Sequence, residues 1–218
     1  MSHLASCPEL ALCDAVRPAV GWDRVAVSVV VDAERRLPLA GSDLALQRFS
    51  NFQQTLVQGP CLDALRCGAP VLVDDLRSTG APWQLLLSTT AERFPVRSTA
   101  SLPLLGSGPV GTPVGVLTVG RDAVAPFTSA QVDVLTRLAD VLAGIILVRG
   151  SRGDLLADVS TDDLPVLVGM LRARLALDEA EALARLRAYA FAAGRTIHEV
   201  ATDAVAGLLD LEEVGLHR

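Results

Sequence analysis

Hydrophobic periodicity changes once along the chain, and that change divides it into two parts of different architecture. Up to about residue 150, short runs rich in β-branched residues alternate with stretches whose apolar positions recur every three or four residues. Val25–Val31, Leu37–Ala40, Pro70–Val73, Thr99–Leu105 and Val114–Val119 read as strands, with Pro70–Val73 expected to be buried. The last two flank the Gly- and Pro-rich turn Gly106–Pro113 and are expected to form an antiparallel hairpin. Helices are expected over Cys7–Val20, from the Ser42-Asp43 cap to Leu56, over Cys61–Cys67, and over Trp83–Phe94. One more opens at Thr128-Ser129-Ala130-Gln131, where the Thr oxygen and the Gln side chain satisfy orphan amides. Its apolar stripe is Val132, Leu135, Leu138, Leu142, Ile145 and Ile146. This order predicts an α+β domain over residues 1–150, an antiparallel sheet with flanking helices.

Beyond the breaker Gly150–Gly153 the strand signal ends, and residues 151–218 read as an all-α three-helix bundle. Asp162 or Asp163 opens a helix to about Ala176, with Pro165 tolerated in its first turn. Asp178 with Glu181 opens the second, and Gly194 is placed to stop it. Thr196 with Glu199 opens the third.

Half of the 218 residues are apolar but only 4% are aromatic, so the core is expected to be Val, Leu, Ile and Ala. The longest apolar stretch, Val141–Val148, is far short of the roughly 18–20 residues a membrane helix needs. Met1–Leu4 lacks the basic and apolar regions of a signal peptide. The expectation is a cytoplasmic protein with no membrane contact, in which Cys7, Cys13, Cys61 and Cys67 are reduced. Cys61 and Cys67 lack CxxC spacing and His3, His198 and His217 are scattered, so no metal site is expected. Asp74 and Asp75 are adjacent on an extended segment and point to opposite faces, which excludes a paired-carboxylate centre. With no Gly-rich phosphate loop and no nucleophile constellation either, no catalytic residue, cofactor or enzymatic activity is expected.

All 19 basic residues are Arg, so every cationic contact uses a planar guanidinium. Residues 1–150 are nearly balanced, with 12 Arg against 13 acids, whereas residues 151–218 hold 7 Arg against 12 acids. Within that acidic half, Gly169–Arg195 carries five Arg against three acids, and screening over about 8–10 Å lets such a local basic face meet an anion.

Two stretches resemble known families. Residues 25–148 resemble the GAF domain, a small-molecule sensor and dimerisation fold. The matching segments are Gly59-Pro60-Cys61-Leu62-Asp63-Ala64-Leu65, Pro70–Leu76, Val96-Arg97-Ser98 through Leu104, and Val114–Leu117. Residues 164–206 are similar to the ANTAR module, which binds paired RNA hairpin loops and prevents transcription termination. The match rests on Gly169, Leu171, Ala173, Arg174, Glu181, Ala182, Leu186, Arg187, Ala190, Arg195, Ile197, Val200 and Ala201. Leu167-Val168-Gly169 stands where that family has Ala-Lys-Gly, and Val168 brings no charge to a phosphate. Arg172, one turn later, is expected on the same face and able to supply it.

The resemblance implies a signal-responsive regulator that binds hairpin RNA and promotes antitermination. RNA contacts are expected at Gly169, Arg172, Arg174, Arg187, Tyr189, Arg195, Thr196 and His198, because hairpin loops are held by cations on phosphates and by stacking on splayed bases. Tyr189, the only Tyr, reads equally as a base platform or as the rim of the bundle. Arg185 reads as a partner for Glu181 four residues earlier. A small-molecule pocket is expected between the sheet and Leu44–Phe94, near Cys61, Trp83 and Arg97. A homodimer is expected through the stripe Leu135–Ile146. Two alternatives stand beside this one: a module acting only through protein contacts, and a thiol reductase using Cys61 or Cys67.

Overall fold

The computed structural model describes residues 7–32, 35–78, 82–90, 93–106, 111–153, 155 and 162–216. His3, His217 and residues 107–110 of the Gly106–Pro113 turn lie outside the described residues. Helix α1 (Pro8–Val20) is followed by strands β1 (Arg24–Val30) and β2 (Arg36–Gly41). Helices α2 (Leu44–Leu56) and α3 (Pro60–Cys67), strand β3 (Val71–Val73) and helix α4 (Gln84–Thr90) come next. The hairpin strands β4 (Ser98–Leu105) and β5 (Pro113–Arg121) lead into helix α5 (Ser129–Arg152).

The five strands make one sheet in the order β2-β1-β5-β4-β3, with every neighbouring pair antiparallel. Alternation along β1 explains how both faces are covered. Val25, Val27 and Val29 face a core shared with α1 and α5, while Ala26 belongs to a second core built by α2 and α4. In the first core, Leu10 and Cys13 of α1 and Leu135, Leu142 and Ile146 of α5 pack on Leu102 and Leu117. In the second, Phe49 and Phe52 meet Phe94 edge-on at centroid distances of 6.1 and 5.8 Å. Trp83 joins them in this core, while Trp22 and Phe127 belong to the first. Cross-strand closeness is tightest at Gly115, where a Cβ would stand 2.5 Å from the Ser28 carbonyl oxygen.

Local signals set the helix ends. Asp43 accepts from the Leu46 N–H at 2.9 Å, and Thr128 and Gln131 form the reciprocal cap at the start of α5. Helix α5 runs straight through Gly150 and ends at Arg152, with Gly153 in the left-handed conformation. The breaker therefore acts only at its last residue. Strand β3 is a short edge with Leu72 exposed, not the buried strand expected, because only β4 pairs with it. Helix α4 starts after Trp83, one residue later than expected.

The remaining described residues form helices α6 (Leu164–Leu175), α7 (Glu179–Ala192), α8 (Ile197–Val205) and α9 (Leu211–Leu216). The bundle has a fourth helix that the three-helix reading omitted. Its Val214 joins a core made by Leu164, Leu167 and Leu171, by Ala182 and Leu186, and by Ile197 and Val200. Only the Asp178 half of the expected second capping box forms, accepting from Glu181 N–H at 2.8 Å, whereas the Thr196–Glu199 box is complete. Val168 is 7% exposed and belongs to this core. An apolar stripe at 164, 167, 168 and 171 follows helical spacing and draws Val168 inward, so it does not share an open face with Arg172. Among the described residues, no helix is long and apolar enough to cross a membrane.

Candidate sensor cavity and helical output face

Helix α2 touches both halves of the molecule. Leu46, Phe49 and Phe52 fill the sensor core, while residues on its other faces meet α7 and α8. The Thr55 hydroxyl accepts the Ile197 N–H at 3.0 Å, and Arg48 pairs with Glu199 at 2.9 Å. Ile197 is the first residue of α8, so Thr55 satisfies one of the orphan amides that every helix start presents. Arg93 donates to the Gly194 carbonyl oxygen at 2.7 Å, and Arg35 reaches Asp162 at 3.4 Å. Asp162 also faces His198 Nδ1 at 3.4 Å. Burial works to raise the Asp162 carboxyl pKa, but His198, the Leu164 N–H and Arg35 outweigh it and hold the carboxyl below its usual range.

The residues expected to meet RNA divide between two sides of the bundle. Arg172 and Arg174 of α6 lie on the open side, 51% and 60% exposed at the side chain, facing Glu179 at 3.8 Å and Glu212 at 3.2 Å. Gly169 is also exposed on α6, with nothing of this chain within 4 Å of a Cβ built there. The other members sit toward the sensor. Thr196 is 1% exposed, His198 is held at Asp162, and Arg187 borders a cavity that the sensor walls. Arg195 is tied to Asp203 at 2.6 Å and to the Glu199 carbonyl oxygen at 2.8 Å. Tyr189 is half-buried on the rim of the bundle core. Arg185 meets Glu181 at 2.5 Å, as its spacing predicts, and also donates to the Gly215 carbonyl oxygen at 2.6 Å. The structure therefore does not bring the whole set to one surface.

The expected ligand residues also lie apart from open space. Cys61 is fully buried, its sulfur 3.0 Å from Thr118 Oγ1 and 3.5 Å from Ser101 Oγ. Trp83 is buried and donates to Asp63 at 2.8 Å. Arg97 pairs with Asp75 at 3.1 Å; the Arg77 N–H and this guanidinium hold the Asp75 carboxyl below its ordinary range. Where the pocket was expected, Phe49, Phe52, Trp83, Leu86 and Phe94 fill the space.

A cavity of about 910 Å³ opens elsewhere, at the end of the sheet where β1, β2, α3 and α5 meet the bundle. Val29, Leu62, Leu65, Val114 and Ile146 supply apolar wall, and Arg36, Gln54, Arg66 and Arg187 supply polar groups. Arg36 is the unusual member, because it is buried and no carboxylate among the described residues pairs with it. Its backbone N–H donates to Gln54 Oε1 at 3.1 Å, and its Nη2 reaches the Ser50 carbonyl oxygen at 3.4 Å. Sequence reasoning missed this group. Its signal was the run Gln47, Ser50 and Gln54, a polar stripe at helical spacing on a helix whose apolar face was already assigned.

An antiparallel sheet with helices on its faces is the architecture the first half of the sequence implied, and the structure shows it with α1 and α5 on one face and α2 to α4 on the other. The family model described as the GAF domain matches residues 10–147. The chain belongs to the GAF domain family. Among solved structures it is similar to the GAF domain of a phosphoenolpyruvate-protein phosphotransferase from Coxiella burnetii. That match has 16% identity and a TM-score of 0.51, covering 70% of this chain and 90% of that one. It is likewise similar to the GAF domain of a two-component sensor histidine kinase from Bacillus halodurans, at 15% identity and a TM-score of 0.50. Here 66% of this chain and 94% of that one are covered. At such identities the likeness concerns the GAF fold alone. No curated relative matches the chain. In this GAF domain the stripe Leu135–Ile146 is spent on its own sheet, so the expected dimer seam through that stripe is overturned. Val141, Leu147 and Val148 are the large apolar residues that α5 leaves exposed.

Proposed function

We propose that this chain is a signal-responsive, non-enzymatic regulator whose GAF domain holds a C-terminal RNA-binding module and releases it on receiving a signal. One observation carries the reading: the Thr196–Ile197 start of α8, with Arg187 beside the cavity, is docked on the sensor while Arg172 and Arg174 stay open. A module so divided presents only Gly169, Arg172 and Arg174 of its eight expected contacts on the open side. Undocking exposes the remainder, and a signal acts by shifting the population between docked and released arrangements. The likeness of residues 164–206 to ANTAR modules supports hairpin RNA as the partner and antitermination as the outcome. The ion pairs on the open side suit this role, since exposed pairs contribute only about 0–1 kcal/mol and give way to a phosphate at little cost. Complete burial of Cys61 speaks against it as the thiol of a reductase, which leaves that alternative to the exposed Cys67.

The test is a titration of a two-hairpin RNA across a salt series with the full chain and an Arg48→Ala, Thr55→Val double variant. The variant should bind about tenfold more tightly, since the docked fraction no longer competes. Arg172→Ala should lower the log–log salt slope by about 0.9, the share of one phosphate contact. Equal, salt-independent binding by all three proteins would reject RNA as the partner.

A further inference from the structure

Arg36 is 5% exposed, and its Nε and Nη1 have no hydrogen-bond partner among the described residues. Among the described residues no carboxylate pairs with it. A guanidinium out of water without a counter-charge is costly by any accounting, and a fold keeps one only where something else repays the cost. Ordinary explanations do not apply here. The Cys61 sulfur beside it is already engaged by Thr118 and Ser101. Asp32, at the same cavity, is bound by Arg35 at 2.6 Å. Around Arg36 the amide of Gln54 and the hydroxyl of Ser50 also have polar atoms without partners. Arg36 and Gln54 line a cavity whose apolar lining includes Val29, Leu62, Leu65 and Ile146. A cavity that joins a buried guanidinium and amide to aliphatic lining matches a molecule with a charged head and an apolar body.

We propose that this cavity binds a small organic carboxylate, its headgroup taken by Arg36 with help from Gln54 and its aliphatic body lying along Leu62, Leu65 and Ile146. A planar carboxylate suits the fork of a guanidinium, and enclosure strengthens each bond it makes. Because Arg187 of α7 borders the same space, the molecule would lie where the sensor meets the helical module. The inference rests on the reading of the chain as a sensor and supplies the chemical class of its signal; it does not rest on RNA.

The probes are hexanoate, octanoate and decanoate, each paired with the alcohol of the same length and titrated calorimetrically into the full chain without RNA. Carboxylates should bind, should tighten with chain length, and should exceed the matched alcohols by about tenfold or more. Arg36→Met should abolish that preference and raise the melting temperature of the free protein, because it removes an uncompensated buried charge. If Arg36→Met fails to give a native circular dichroism spectrum, Leu65→Trp serves instead: it fills the cavity from α3 and should block binding while leaving Arg36 in place. Failure of every carboxylate to bind, equal affinity for alcohols, or undiminished binding by a folded Arg36→Met protein overturns the assignment. The RNA titrations are separate, so failure here and failure of the RNA reading are distinguishable.

Discussion

Single residues hold several decisions that no neighbour can remake. Gly59 has φ of +138°, and a Cβ there would stand 2.4 Å from Gln53 Oε1, the atom that also accepts the Cys61 N–H. Gly59→Ala should cost about 1–3 kcal/mol of backbone strain and disturb the start of α3, measured as a lower urea midpoint. Glu9 is fully buried on α1 and paired with Arg149 of α5. Arg149→Ala strands that carboxylate and should cost about 3–5 kcal/mol by the same measurement. The cysteines sort themselves by environment. Burial pushes the Cys13 thiol up to about 12 and Cys61 is sealed, while Cys67 is exposed. A thiol reagent at pH 7.5, followed by peptide mass spectrometry, should label Cys67 first and reach Cys13 and Cys61 only in denaturant. At this scale the sequence spoke clearly about caps and poorly about Arg36. An Arg at the start of a strand reads as solvated, and only the three-dimensional neighbourhood removes the water.

At the scale of elements, period and punctuation located nearly every strand and helix because each signal is local. What failed was the assignment of faces. Val168 was expected outward on the strength of a motif position, yet the stripe Leu164, Leu167, Leu171 closes around it. The stripe of α5 was expected to meet a second subunit, but a helix beside a sheet with Val25, Val27 and Val29 on one face has a nearer place to bury it. The contact of α6 and α8 with β2's approach is likewise invisible to local pattern, and it has a titratable signature. Asp162 is held below its usual pKa in the folded chain, so its contribution is complete above about pH 4, the unfolded value, and is lost as pH falls through the lower folded value. The melting temperature of the native protein should exceed that of Asp162→Asn at pH 6, and the gap should close below about pH 4; a gap constant with pH would remove Asp162 from the contact.

At the scale of the whole molecule, the sequence divides into a sensor and a helical part, and the structure joins them through α2, with Arg35 and Arg93 adding contacts from outside it. That junction depends on groups more than 140 positions apart in the chain, the Thr55 hydroxyl with the Ile197 backbone N–H and Arg48 with Glu199, which no periodicity reveals. Thr55→Val leaves the Ile197 N–H buried without an acceptor and should cost about 1–3 kcal/mol. Hydrogen exchange should show faster exchange at Ile197 with little change across β1 and β5, locating the loss at the junction and not in the sheet. A second consequence concerns how such a protein can be rebuilt. Because α2 is at once an inner wall of one half and a berth for the other, the two are not interchangeable cassettes. Grafting a foreign output segment after Gly153 would leave a hydroxyl and a guanidinium on α2 facing the wrong mate, so a working chimera must carry the outward face of α2 along with its new tail.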